Sequence, residues 1–389
     1  MNRLFLVPTA LMVIFFVGCG PTAGSNGIIT EVGDSRGTTI TDSQGFDKTM
    51  SPAEIAYQSA QQFLQVGKYD EAITNLQNAV ALKPDYIEAW SQLGSAYSNR
   101  KDYANGITAY EKALELSPGD EGLISAVGYN YLHLENWDEA DRYFKMLLVD
   151  NETHYNANVN LAFIAQRRGR TEEAIGYYET ALESNPTDAT TMGTLAGLYE
   201  QIDNKEKKYE YLNKAIEADP ANHAFKKQLA RAYFNEKDYA NAATVYEELV
   251  KIYPEDASFH QRLGFAYSQS GRTNEAPPEL EKAVELTGGD DFTYAILAKI
   301  YNDNNNYNKA MTAAQKGIAL NTGEQDALLY YQWGYALSKL DRYEEAIVKF
   351  EKVITLRDPQ WSPAAEKEIV RQNQLIKLRE AKKEQELYE

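Results

Sequence analysis

The chain has 389 residues, of which 43% are hydrophobic and 25% charged, an ordinary composition with ample apolar material for a core. Lys and Arg total 39 against 57 Asp and Glu, so the formal net charge is -18; such a surface repels nucleic acid and anionic headgroups and favours basic partners. The one cysteine, Cys19, excludes an intrachain disulfide.

In chain order, Arg3 supplies a short positive start and Leu4 to Val17 forms an apolar stretch. A helix of that length spans about 21 Å, short of the ~30 Å hydrocarbon core, so the segment reads as a signal peptide over residues 1–18 rather than a spanning helix. It ends Phe16-Val17-Gly18-Cys19, which resembles the lipobox of bacterial lipoproteins, with Phe16 bulkier than the usual Leu. The resemblance implies cleavage before Cys19 and lipidation at its thiol. Gly20 stands where Asp commonly retains a lipoprotein at the inner membrane. This implies lipid anchoring in the cell envelope, at the outer membrane facing the periplasm in a Gram-negative organism. Residues 19–52 are rich in Gly, Ser and Thr without apolar periodicity, and read as a flexible membrane tether.

From Ala53 onward the chain repeats every 34 residues, with units starting at Ala53, Ile87, Glu121, Tyr155, Ala189, His223, Ala257 and Asp291. After an added Gln325-Asp326, a ninth unit runs Ala327 to Gln360. The eighth position of every unit is Gly or Ala, from Ala60 and Gly94 to Gly334. The twentieth is equally small except at Lys208, and the eleventh is mostly a large filler such as Phe63, Tyr97 or Tyr267. Small opposite large is how packed helices interdigitate. Pro84, Pro118, Pro186, Pro220 and Pro254 fall at the thirty-second position, where a helix must stop. The second unit carries Trp90, Leu93, Gly94 and Tyr97 at the spacing W-x2-L-G-x2-Y, with Pro118 at its end.

These residues resemble the tetratricopeptide-repeat family over residues 53–360. The resemblance implies an all-α solenoid of antiparallel helix pairs stacked into a right-handed superhelix. Lys205 and Lys208 are expected to loosen the second helix of unit five, or to lay their stems on apolar surface with the charge in water. Pro277 and Pro278 are expected to delay or kink the second helix of unit seven. Residues 361–389 read as a capping helix and charged tail, fraying from about Arg379.

In the family, first helices line a groove with their fifth and ninth positions. Carried over, these give the adjacent aromatics Tyr129 and Phe163, the glycines Gly193 and Gly197 with room for close backbone approach, and Lys227, Arg231 and Phe265. Neighbouring Arg262 completes a basic cluster in an acidic chain. The expected ligand is a peptide or partner helix whose carboxylates meet the cations and whose apolar side chains meet the aromatics. Catalytic motifs, metal-ligand spacings and phosphate-binding loops are missing from the sequence, and His133, His154, His223 and His260 lie far apart. The sequence thus indicates a non-enzymatic scaffold without cofactor, metal or small-molecule substrate. By its resemblances it is a lipoprotein adaptor assisting an envelope assembly or secretion machine. The alternative is a glycan-binding component of a polysaccharide system, with Tyr57, Tyr129, Tyr331 and Tyr335 as stacking platforms.

Overall fold

A computed structural model describes residues 38–41 and 47–388. The signal peptide 1–18 and the lipidation at Cys19 lie outside the described residues. Within the segment read as a tether, strands β1 (Thr38–Thr41) and β2 (Asp47–Met50) pair antiparallel, with Thr38 opposite Met50. The sequence reading contained no strand there. Three threonines and Ile40 in β1 supply the β-branched run that favours extended backbone.

The chain divides into two compact units, residues 1–184 and 185–389. The first holds α1 (Pro52–Gln65), α2 (Tyr69–Leu82), α3 (Ile87–Asn99), α4 (Tyr103–Leu116), α5 (Glu121–His133), α6 (Trp137–Leu148), α7 (Tyr155–Arg167) and α8 (Thr171–Ser184). The second holds α9 (Ala189–Gln201), α10 (Lys205–Ala218), α11 (His223–Asn235), α12 (Tyr239–Ile252), α13 (Ala257–Gln269) and α14 (Ala276–Thr287). It continues with α15 (Asp291–Asp303), α16 (Tyr307–Ala319), α17 (Asp326–Lys339), α18 (Tyr343–Thr355) and α19 (Ser362–Tyr388). Each repeat is one helix pair, and within each unit the first helix of a pair packs on the second helix of the pair before it, as α3 does on α2 and α13 on α12.

The small eighth position faces the twenty-fourth position of its own unit. A Cβ added at Gly94 would lie 2.7 Å from the Tyr110 ring, at Gly128 2.9 Å from Phe144, and at Gly264 2.5 Å from Leu280. In these three repeats the facing side chain fills the space a Cβ would need, whereas Ala162 and Ala230 stand at the same position opposite Tyr178 and Tyr246. Ala72, Ala140, Ala174, Ala242, Ala276, Ala310 and Ala346, at the twentieth position, are fully buried. The large eleventh position does more than fill. Tyr131, Tyr267 and Tyr301 each donate a hydroxyl hydrogen bond to a glutamate of the preceding repeat: Glu111 (3.5 Å), Glu247 (3.1 Å) and Glu281.

The turn inside each pair has a shared backbone signature. The fifteenth residue of all nine repeats has positive φ; three are Gly67, Gly169 and Gly271, and six are Lys101, Glu135, Asp203, Lys237, Asn305 and Asp341. Starts of helices are capped by short acidic or amide side chains, including Asp102, Asp120, Asn136, Asp188, Asn204, Asp238 and Asp256.

Three expectations about irregular segments have different outcomes. Lys208 takes the small-residue position, buried, and pairs with Glu236, which also receives Lys205 at 3.2 Å. Its ammonium is thus neutralised inside the protein rather than held in water. Pro277 and Pro278 open α14, delaying its start to Ala276; the position matching Tyr239 of α12 is Thr273. This is the place in a helix where the missing N–H costs nothing. The final helix continues past Arg379, which pairs with Glu344 and lies 5.4 Å from the Tyr343 ring. Ala365 and Gln372 of α19 are fully buried, and Ser338 donates to Gln372 at 2.8 Å.

Candidate partner-binding site

In residues 1–184, Tyr129 and Phe163 are both half-buried. The Tyr129 hydroxyl accepts from the buried Asn160 amide at 3.1 Å, and its ring meets Phe144 edge-on at 5.6 Å. Phe163 meets Trp137 edge-on at 6.2 Å. These rings brace the repeats and show one edge outward. Polar pairs bridge the first helices beside them: Ser98 donates to buried Asn130 at 2.7 Å, and Asn130 in turn donates to the Ala126 carbonyl at 2.7 Å.

In residues 185–389, Gly193 and Gly197 have different surroundings. Gly197 is exposed, with nothing within 4 Å of an added Cβ. Gly193 is buried, and an added Cβ would lie 2.4 Å from the Phe225 ring of α11. The room expected at Gly193 is filled by the protein itself, so Gly193 is corrected from a groove residue to an intramolecular packing residue.

The cations do converge on one side. Lys227 and Arg231 stand one turn apart on α11, both exposed, and Arg262 lies on α13. The Lys227 ammonium lies 4.0 Å above the Tyr253 ring, and the Arg262 guanidinium 5.4 Å from the Phe234 ring centre. Burial pushes the Tyr246 hydroxyl above its usual pKa range, and the nearby positive charges of Arg262 and Arg231 pull it back part of the way. Among the described residues, none of the three cations lies within ion-pair distance of a carboxylate, whereas adjacent Lys226 is paired with Glu248 at 2.6 Å.

Phe265 is the floor of an aromatic cluster. Its ring lies 5.4 Å from Phe234, 5.5 Å from Tyr239 and 5.7 Å from Phe292. Phe234, Gln261, Arg262, Phe265 and Phe292 line an open depression of about 210 Å³. Sequence reasoning found Arg262 and Phe265 and missed Phe234 and Phe292. A signal existed for Phe292: it is the second residue of its repeat, a position that is large and apolar elsewhere only at Leu328 and small or polar in the other repeats, as at Glu54, Glu88, Asn156 and Thr190.

Two of the aromatic platforms considered for sugars, Tyr57 and Tyr331, are engaged internally. Tyr57 packs on Tyr86 at 5.0 Å, and Tyr331 lies against Phe350 (5.5 Å) and Trp361 (4.9 Å). Each histidine has a structural partner. His133 stacks on Tyr103, His154 caps α7, His223 meets the Tyr253 hydroxyl, and buried His260 lies between Glu279 and the Pro254 carbonyl. No group of three or more His, Cys, Asp or Glu able to hold a metal occurs among the described residues, and no helix among them is long and apolar enough to cross a membrane.

A helix pair every 34 residues, small residues at the pair crossings and large ones between pairs define a tetratricopeptide-repeat protein. Models described as "Tetratricopeptide repeat" match residues 228–291, 293–323 and 327–359. The family described as "Cilia and flagella-associated protein 70 C-terminal domain" matches residues 34–251, more than half of the chain, and the chain belongs to that family.

Curated relatives match over short stretches. The Hsp70-Hsp90 organizing protein of Triticum aestivum is 40% identical over 58 residues, 15% of this chain and 10% of that protein. The peroxisomal targeting signal receptor of Saccharomyces cerevisiae is 33% identical over 88 residues, 23% of this chain and 14% of that protein. The chain thus spans a small part of the length of these relatives. Among solved structures, MamA from Desulfovibrio magneticus RS-1 is 19% identical with a TM-score of 0.41, covering 45% of this chain and 100% of that one. YrrB, titled a TPR protein with an unusual peptide-binding site, is 23% identical with a TM-score of 0.38, covering 44% and 89%.

Proposed function

We propose that this protein is a non-enzymatic interaction scaffold that holds a peptide or helix of a partner protein on its first-helix faces. The observation that carries the reading is the set of cations Lys227, Arg231 and Arg262. In a chain with net charge -18, three neighbouring cations without carboxylate partners form a local receptor for negative charge. The half-buried rings Tyr129 and Phe163, and the exposed Gly197, offer further contact surface in the respective units. Two of the curated relatives are, by their names, an organizer of other proteins and a receptor for a targeting signal, which agrees with such a role.

The apolar run ending at Cys19 supports the finer part of the proposal. The mature protein is lipid-anchored at Cys19 in the cell envelope, with the periplasmic face of an outer membrane as its place, and there it serves an assembly or secretion machine. Crosslinked capture from native envelopes tests both parts. Wild type retains one dominant protein partner; Arg231→Ala combined with Tyr129→Ala and Phe163→Ala loses it; Cys19→Ala moves the protein to the soluble fraction. Capture unchanged by the triple substitution overturns the face assignment. Membrane retention of Cys19→Ala overturns the anchor, and recovery of glycan without protein overturns the scaffold reading.

A further inference from the structure

The depression on α11, α13 and α15 has a size, a wall chemistry and a charge gradient that together specify a ligand. Its volume of about 210 Å³ lies below the roughly 300 Å³ at which small-molecule sites begin, so it admits one bulky side chain. Phe234, Phe265 and Phe292 supply apolar walls, and Phe292 remains 43% exposed, a large apolar surface left to water on an otherwise polar helix start. Arg262 closes one wall with its guanidinium carbon 5.4 Å from the Phe234 ring centre; it also bonds the Tyr246 hydroxyl, and its remaining N–H groups are open to an acceptor.

The two rims differ in charge. On the α15 side, Asp290 caps the helix, accepting from Thr293 N at 2.6 Å and from Gln261 Nε2 at 2.7 Å. That carboxylate repels an incoming acid. On the α11 side stand Arg231 and Lys227, beyond Arg262. An acidic group is therefore favoured on one rim and opposed on the other. Gln261 also donates to Thr293 Oγ1 at 2.6 Å, so both hydrogen bonds use the amide nitrogen and its side-chain oxygen has no partner among the described residues. That oxygen is a ready acceptor for a ligand backbone N–H.

We infer that this depression is an anchor site for an extended segment of a partner protein that places one bulky apolar side chain, aromatic or leucine-like, among Phe234, Phe265 and Phe292, with an Asp or Glu beside it on the α11 side meeting Arg262 and Arg231. This deepens the scaffold reading and rests on it. The anchor supplies affinity through burial, and the asymmetric charge sets the direction in which the segment runs across the helices.

The test is selection from a random peptide display library on the folded protein, in parallel with Arg262→Gln and Phe292→Ser variants, each confirmed as helical by circular dichroism. Selected peptides are expected to share a bulky apolar residue with an acidic neighbour at one fixed spacing and side. Synthetic copies, dye-labelled, are expected to bind roughly tenfold more weakly to either variant, and to lose a similar factor when their acid becomes an amide or the anchor becomes Ala. Selection of basic or non-anchored peptides, affinity indifferent to both variants, or no enrichment overturns the inference. If peptides are selected but depend on Tyr129 or Phe163, or if a native partner is captured while nothing is selected, the scaffold reading stands and this anchor site falls.

Discussion

The first-helix faces of the two compact units are built from the same repeat yet are finished differently. In residues 1–184 the polar side chains satisfy one another: Ser98 with Asn130, and Asn160 with Tyr129. In residues 185–389 the corresponding surface carries neighbouring cations lying on aromatic rings, Lys227 on Tyr253 and Arg262 on Phe234, where the first helices of the first unit place Arg167 5.7 Å from the Trp137 ring. Closed amide and hydroxyl pairs contribute order between repeats and leave the half-buried rings Tyr129 and Phe163, rather than polar groups, for a ligand. Cation–ring contacts occupy one face of each cation and leave hydrogen-bond donors open. One framework therefore supports a surface whose polar groups are used inward and a surface whose charged groups are available outward, and the choice is made by side chains that leave the packing positions untouched.

The largest effect that tests this contrast is expected at Glu236, where the second unit breaks its own pattern with a buried lysine. Glu236→Gln leaves the Lys208 ammonium buried beside an amide and is expected to cost about 3 kcal/mol in urea unfolding. Lys208→Ala restores the residue type of the other repeats and is expected to cost clearly less, since Lys205 still pairs with Glu236. The gap between wild type and Glu236→Gln is also pH-dependent. Burial alone would raise the Glu236 carboxyl, but Lys208 and Lys205 outweigh it and hold it below the usual range. A depressed carboxylate stabilises the fold above its unfolded pKa of roughly 4.3, and this contribution is lost as pH falls through the folded value. The gap is expected in full at neutral pH and closed in strong acid; a constant gap would refute the pairing.

Next in size, Asn130→Ala in the first unit removes a buried amide that both accepts from Ser98 and donates to Ala126, and is expected to cost about 1–2 kcal/mol without changing partner binding. Lys101→Gly relieves a lysine held at φ 62° and is expected to stabilise by about 0.5–1 kcal/mol, read as a higher urea midpoint. Smallest in stability is Arg262→Gln in the second unit, expected within about 0.5 kcal/mol of wild type while weakening the binding described above. A stability loss at Arg262 matching that at Asn130 would erase the distinction between the two faces.

The sequence made the fold legible because close packing restricts residue type: Ala or Gly at the eighth position and a small residue at the twentieth are forced by contacts such as Gly94 with Tyr110. The left-handed turn at the fifteenth position was hidden, since only three of nine residues there are glycine. The burial of Lys208 as an ion pair was hidden because its partner Glu236 lies 28 residues away, in the next repeat. The site was partly legible. Charge placed Lys227, Arg231 and Arg262, but the filling of Gly193 by Phe225 and the gathering of Phe234 and Phe292 around Phe265 depend on three-dimensional neighbours that positions five and nine do not encode.

The tyrosine clasps have a mechanical consequence. Glu111, Glu247 and Glu281 are each closed by a tyrosine of the following repeat, so a repeat's second helix is latched from downstream. Within either unit, unravelling that begins on the C-terminal side of such a repeat therefore breaks the latch before the pair it secures, whereas unravelling from the N-terminal side must open the pair with the latch still shut.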